Sequence, residues 1–381
     1  MRGLPREVYP LYAIVFIDVI GYTFLIPLLP ALAKKFSAPT FEMGMLISTT
    51  ALCATLSSPG WGYLSDRIGR KKVLLSSQAF TLAGYLLIAV AGDVMTLFVS
   101  RIVAGLGGGN QGVAQSYIVD VVEPSDREKA LAWGTAAFGL GFVVGPLLSG
   151  LLLKFGLSVP FWGATALEAI NIVFTVLVLK DAAPYRQDGQ SRRSLITALI
   201  CAPMPSLMAR QFLYIFSFTY FFTLFGLYLD RQLQIDSAGA GLLLAAAGGV
   251  GAVMLIFGVE PLERRLGDLG LSQLAFFGAF AAYVLLGFVT SLPLFGVMLL
   301  VWAASGAVLR PTLNKLIADA APAARRGAIL GFADSLNNAS MIFAPAIGSV
   351  IVGTDPRLSG ILPALCAAGG FLIGQFTRRR T

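Results

Sequence analysis

The sequence predicts an all-α membrane protein in which twelve transmembrane helices form two pseudo-symmetric six-helix bundles. Three observations carry that prediction: apolar runs long enough to cross a bilayer, charge confined mainly to the segments between them, and an internal repeat. Of 381 residues, 56% are hydrophobic and 13% charged, where a soluble domain carries about 25% charged residues. A single core stops growing near roughly 250–300 residues, so a soluble fold cannot hide this much apolar surface. Bilayer hydrocarbon about 30 Å thick takes roughly 20 apolar residues per helix. Backbone facing lipid has no water to bond, which leaves helices or closed barrels, and uninterrupted runs select helices.

In chain order the runs fall at residues 9–33, 41–64, 73–91, 94–119, 130–153 and 159–179, then 207–229, 238–259, 271–289, 292–318, 328–352 and 360–376. The first is too long for the apolar stretch of a signal peptide and carries Asp18 in its middle. Residues 181–206 are polar and punctuated by proline, as expected of a cytoplasmic linker between a bundle of residues 1–180 and one of residues 207–381. The 42 glycines suit close helix packing in lipid. Cys53, Cys201 and Cys366 are scattered, with neither a disulfide framework nor a metal-ligand spacing; no cofactor or metal is expected. Histidine is absent, so proton chemistry near neutral pH must use carboxylates instead of imidazole.

Twelve crossings put both termini on one side. Loops and tails on that side hold most of the 28 Lys and Arg, whereas the opposite loops hold Lys34, Lys35, Lys154, Arg231 and Arg357. The positive-inside rule then places both termini in the cytoplasm of an inner-membrane protein. The net charge of +8 is thus a topology signal and does not point to nucleic acid. The halves also match in order. Asp120, Arg127, Leu131 and Pro146 fall on Asp319, Arg326, Leu330 and Pro345 at one fixed offset, and Gly44 and Gly62 fall near Gly241 and Gly258. Paired halves of this kind hold a site near the midplane and rock one against the other.

The motifs resemble the major facilitator superfamily over essentially the whole chain. The run Gly62-Tyr63-Leu64-Ser65-Asp66-Arg67-Ile68-Gly69-Arg70-Lys71-Lys72 looks like that superfamily's signature between spans two and three. Residues 18–30, DVIGYTFLIPLLP, look like the first-span motif of drug:proton antiporters with twelve spans. Residues 139–150, holding Gly141, Gly145, Pro146 and Gly150, look like the fifth-span antiporter motif, with Ser149 where glycine is usual. Arg101-Ile102-Val103-Ala104-Gly105 resembles the fourth-span motif associated with proton coupling. The overall look is similar to tetracycline and multidrug efflux carriers. The resemblance implies that Asp66 faces the N-terminus of span eleven and that Arg70 pairs with an acid at the cytoplasmic end of span four, where Asp120 fits. Such a latch would break when the cytoplasmic side opens. The alternative for these charges is topology alone.

Other candidates come from the residues themselves. Asp18 lies roughly 13 Å into span one at 1.5 Å per residue. A carboxylate that deep is a functional hypothesis by default; a structural hydrogen bond to backbone or to Tyr22 is the alternative. Glu168, with Asn171 a turn away, sits in span six and is read either as a protonation site or as a buried structural acid. Asp334 in span eleven and Arg310 in span ten have similar depth and suggest an ion pair. Arg101 seeks an acid or a cavity, and Lys315 is expected to snorkel. Asn110, Gln111, Gln115, Asn314, Asn337 and Asn338 are candidates to line a cavity, or to hydrogen-bond between helices. Tyr214, Phe218, Phe221, Phe225 and Tyr228 recur on one face of span seven. That face suits a hydrophobic or cationic substrate, with lipid contact as the alternative.

Together these features lead us to expect a monomeric proton-coupled exporter of a small hydrophobic or amphipathic compound, with protons and the bilayer as its other partners. A carrier of the same fold for a sugar, amino-acid derivative, siderophore or lipid is the alternative. An intramembrane enzyme lacks any Ser/His, Cys/His or metal-ligand cluster in the sequence, and a channel lacks a filter-like repeat.

Overall fold

A computed structural model describes residues 5–123, 126–181, 203–322 and 326–378. Every regular element among them is helical. Residues 182–202 of the expected linker lie outside the described residues.

Span one is cut in two, α1 (Tyr9–Thr23) and α2 (Leu25–Phe36). Pro27 explains the cut, because it has no N–H for the Thr23 carbonyl and its ring crowds that turn. The Thr23 hydroxyl donates back to the Val19 carbonyl at 2.9 Å. Ser149 of span five donates to the Phe24 carbonyl at 2.8 Å, so the serine in the fifth-span motif serves the break in span one. Span two is α3 (Thr40–Ile68) and span three α4 (Arg70–Ala89), joined by Gly69 at φ 99°. Glycine alone reaches such a φ without a Cβ penalty.

Span four departs from the expected continuous helix. It runs as α5 (Val94–Leu106) and α6 (Asn110–Val121), parted by Gly107, Gly108 and Gly109. Three glycines in a row weaken the helix, and side chains from neighbouring spans take the loosened carbonyls. Trp61 Nε1 donates to Leu106 at 2.6 Å, Ser57 to Gly105 at 3.3 Å, and Ser77 to Gly107. In lipid, where water cannot help, such partners let a break persist. Asp93 caps α5, accepting the Thr96 N–H at 2.7 Å. Spans five and six are α7 (Arg127–Leu153) and α8 (Val159–Val178).

Span seven is α9 (Met204–Leu233). Span eight begins with α10 (Ser237–Val253) and passes through a π turn, Met254–Gly258, into α11 (Val259–Leu286). Gly267, at φ 67° inside α11, separates spans eight and nine, just as Gly69 separates spans two and three. Spans ten to twelve are α12 (Leu292–Ala320), α13 (Arg326–Thr354) and α14 (Ile361–Arg378).

Nine stretches among the described residues are long and apolar enough to cross a membrane. They correspond to the twelve expected spans once three facts are included. Spans eight and nine run together as one 50-residue stretch, Ser237–Leu286. Span two is rich in Ser, Thr and Gly, and span four is broken.

The chain divides into two compact units, residues 1–187 with 236–245, and residues 188–235 with 246–381. The first unit therefore takes in the opening turns of α10. Within it, α1 and α7 meet through the fifth-span glycines. A Cβ on Gly141 would lie 2.7 Å from the Val19 Cβ, and one on Gly145 would overlap Thr23 Oγ1. Gly150 meets Gly241 and Ala238 of α10 in the same way. In the second unit α9 is central, packed on α12, α13 and α14. Its buried Arg210 donates to Ser272 Oγ at 2.7 Å and to the Gly370 carbonyl at 3.2 Å. Large apolar side chains such as Leu177, Phe257, Phe288 and Leu365 stand exposed, as a surface solvated by lipid allows.

Gly145→Ala should destabilise the first unit by about 1–3 kcal/mol through overpacking. Gly139→Ala, at a position with open space around it, should be near neutral. Thermal unfolding of the two variants in detergent checks the contrast.

Candidate functional site

Asp18 sits on α1 where α6 and α8 approach. Asn110 Nδ2, on the first residue of α6, donates to Asp18 Oδ2 at 2.9 Å. Asn171 Nδ2, on α8, donates to Asp18 Oδ1 at 2.9 Å and reaches the Ile14 carbonyl at 3.3 Å. Asp18 thus bonds two asparagine amides, where the sequence left backbone or Tyr22 as its structural partner.

One turn before Asn171 on α8, Glu168 is 1% exposed and within hydrogen-bonding reach of the Asp18 carboxyl. Among the described residues no N–H or alcohol O–H bonds either Glu168 oxygen, and no cation forms an ion pair with either acid. Two carboxyl groups this close resist ionising together, since like charges oppose each other and burial opposes both. Two such oxygens can share one proton.

Tyr85 of α4 stands beside this pair. It is 5% exposed, and Gly21 makes room for it, since a Cβ there would lie 2.8 Å from the Tyr85 hydroxyl. The Arg101 guanidinium lies 5.8 Å from the Tyr85 ring centre, and its Nε donates to Ser100 Oγ at 3.2 Å. Arg101 Nη2 has no partner among the described residues. The guanidinium lines two small gaps, one with Tyr22, Ile47 and Thr50, the other with Tyr85, Phe161 and Ala164. Tyr85 was not legible as a site residue, because an aromatic in an apolar span carries no signal of its own.

At the other end of α6 the loop signature forms a latch. Arg70, the first residue of α4, places Nε 2.7 Å from Asp120 Oδ2 and Nη1 2.7 Å from Asp66 Oδ1, and also donates to Ser65 Oγ. Ser65 in turn donates to the Gly62 carbonyl at 2.8 Å. The motif therefore reads mechanically. Gly62 and Ser65 present an oxygen, Gly69 makes the turn, and Arg70 is delivered to Asp120. The Arg70–Asp120 pair is buried, with side chains 7% and 3% exposed, while Asp66 is 62% exposed. Lys71 Nζ donates to the Val176 carbonyl at 2.8 Å, and Arg67 lies over the Tyr63 ring at 4.4 Å.

The remaining candidates scatter. The side chains of Gln111 and Asp334 lie outside the described set, and Gln115 is exposed on α6. Arg310 on α12 is half-buried, with Tyr214 in reach of its charge. Asn314 accepts from Gln211 Nε2 of α9 at 3.2 Å, the helix-to-helix use of a polar residue. Asn337 is half-buried and Asn338 exposed on α13. Lys315, half-exposed, bonds Glu263 and Asp268, with Nζ–O distances of 2.5 and 3.1 Å.

The aromatic face of α9 is packing in this structure. Phe221 and Phe225 are each 1% exposed. Phe221 meets Trp302 edge-on at 5.1 Å, and Phe225 lies against Phe295 at 5.7 Å. The Tyr214 hydroxyl donates to the Gly306 carbonyl at 3.2 Å and that of Tyr228 to Leu286 at 2.8 Å. Phe218, stacked on Trp302 at 5.0 Å, is half-buried.

Apolar spans that enclose a carboxyl pair, with a charged latch where one helix ends, define a polytopic membrane carrier. A family model described as the Major Facilitator Superfamily matches residues 11–345 and 207–381, and this chain belongs to that superfamily. The class G tetracycline resistance protein of Vibrio anguillarum is 29% identical over 348 residues, covering 87% of this chain and 86% of that protein. Multidrug resistance protein 2 of Bacillus subtilis is 24% identical, covering 88% and 86%. Among solved structures, an inward-facing bacterial homologue of the human lysosomal transporter Spinster superposes with a TM-score of 0.82 at 14% identity, covering 98% of this chain and 97% of that one. The human organic anion transporter MFSD10 gives 0.72 at 20% identity, covering 98% and 100%. The chain is a transporter and not an enzyme.

Asp120→Asn and Arg70→Ala should each destabilise the protein by about 1.5–3 kcal/mol, because each removes a buried charge-assisted bond while other contacts remain. The double variant should lose less than the sum of the two. Thermal unfolding in lipid nanodiscs checks both values and their coupling.

Proposed function

We propose that this chain is a proton-coupled antiporter of the inner membrane, exporting a small hydrophobic or amphipathic drug-like compound by alternating access. Both termini are cytoplasmic in this reading, and one chain is the working unit. The observation that carries it is the Asp18–Glu168 pair: two carboxyl groups share the interior of one bundle, and no cation among the described residues forms an ion pair with them. A pair like this binds and releases a proton as its surroundings change, and the charge it holds biases which conformation is stable. The fifth-span glycines, which bring α7 against α1, and tetracycline, multidrug and quinolone resistance proteins among the relatives support drug export.

The test uses the purified chain in liposomes with an imposed pH gradient and a tetracycline or a quinolone as probe. The wild-type protein should accumulate the drug against its gradient, with matching proton flux. Asp18→Asn and Glu168→Gln should each reduce uphill accumulation to the passive level while leaving the protein folded. Drug accumulation that ignores the pH gradient would remove proton coupling. Proton flux triggered only by a sugar or an amino-acid derivative would move the substrate to the metabolite class.

A further inference from the structure

Both polar sites of the first unit are attached to the same short helix. Asn110, which bonds Asp18, is the first residue of α6, and Asp120, which bonds Arg70, is the last but one. The rise between them is roughly 15 Å at 1.5 Å per residue. On its N-terminal side α6 meets Gly107, Gly108 and Gly109, and the carbonyls of Gly105, Leu106 and Gly107 are held by Ser57, Trp61 and Ser77. Those bonds anchor the end of α5 to spans two and three. α6 can then tilt about the glycines without unravelling α5.

The amide bonds at the acid pair are lopsided. Asp18 receives one amide N–H on each oxygen at 2.9 Å, whereas neither Glu168 oxygen meets full hydrogen-bond geometry with a donor among the described residues, Asn171 being the amide that stands near it. Amide N–H groups bond an ionised carboxylate about twice as strongly as a neutral acceptor. A single proton in the pair therefore sits on Glu168, with its O–H directed to Asp18. A second proton must go to Asp18, where both oxygens are already occupied. Asn171 is also held by the Ile14 carbonyl and belongs to an unbroken helix. Asn110 sits beside the three glycines, and its Oδ1 has no partner among the described residues. Should its amide turn over to accept the new O–H, a neutral bond would replace a charge-assisted one.

We propose that Asn110 is a positioning residue for proton coupling: it ties α6 to ionised Asp18, α6 holds Asp120 on Arg70, and protonation of Asp18 loosens the latch. The inference rests on the reading of Asp18 and Glu168 as the proton site. The titratable groups near Asp18 are Glu168 from α8 and Tyr85 from α4, with Tyr22 of α1 beside Tyr85. Arg101 of α5 stands by Tyr85, and α7 presents glycine at Gly141 and Gly145 to α1.

The experiment compares wild type, Asn110→Ala and Asn171→Ala as full chains in lipid nanodiscs between roughly pH 5 and roughly pH 8. Infrared difference spectra read the carboxyl band. Hydrogen exchange, corrected for its intrinsic pH dependence, reads residues 66–72 and 116–122. In wild type the band should titrate, and exchange in both segments should rise about tenfold on acidification, the size of one lost hydrogen bond to a charged group. Asn110→Ala should keep a titrating band and lose the acid-induced rise. Asn171→Ala, which removes the other amide but leaves α6 tied, should keep the rise. If Asn110→Ala fails to fold, Asn110→Ser makes the same comparison.

A wild-type-sized rise in the Asn110 variant overturns the inference, as does its equal loss in the Asn171 variant. A wild-type band that does not titrate, or that Asp18→Asn and Glu168→Gln leave unchanged, overturns the proton-site reading and this inference with it.

Discussion

Inside a helical bundle surrounded by lipid, a polar group has only the protein to bond with. An unpaired amide or carboxylate that water would satisfy at a surface costs several kcal/mol at this depth. That constraint organises the first unit. The carbonyls at the break in span four are taken by Ser57, Trp61 and Ser77, and the Phe24 carbonyl at the break in span one by Ser149. Arg70 finds Asp120, Asp66 and Ser65. Asp18 finds two asparagines. Glu168 lies against the Asp18 carboxyl with Asn171 nearby.

The same constraint gives the two units different characters. The first carries most of its buried polar groups on α3, α4, α5 and α8, and several of its helices approach through glycines. The second surrounds α9 with aromatic rings, among them Trp302, Tyr283 and Phe295, and pins its one fully buried arginine among the described residues, Arg210, by a serine and a carbonyl. Aromatic side chains fill space rigidly and satisfy their hydroxyls on nearby backbone, which suits a unit that keeps its shape.

Most of the architecture was legible in the sequence because bilayer thickness imposes a length on each apolar run. The positions of Asp18 and Glu168 were also legible, since a charge inside such a run stands out against its neighbours. The Arg70–Asp120 pair was expected through the resemblance of residues 62–72 to the superfamily signature, and the structure holds the two side chains 2.7 Å apart. The aromatic face of α9 was visible as a face, and the structure packs its Phe221 and Phe225 against Trp302 and Phe295. Periodicity shows that residues share a face, but it does not show what that face meets.

The sequence by itself determined the number of crossings, the duplicated halves and the depth of each acid, because these depend on distance along one helix. Only the tertiary structure decided that Asp18 and Glu168 meet, that Asn110 and Asn171 divide the Asp18 oxygens, and that span four breaks where it does. Those facts depend on which face of each helix turns toward which neighbour. A rotation of about 100° separates consecutive residues on a helix, so small errors in facing exchange a proton site for a lipid contact. Packing fixes that facing through close fits, such as Gly21 under Tyr85 and Gly141 against Val19.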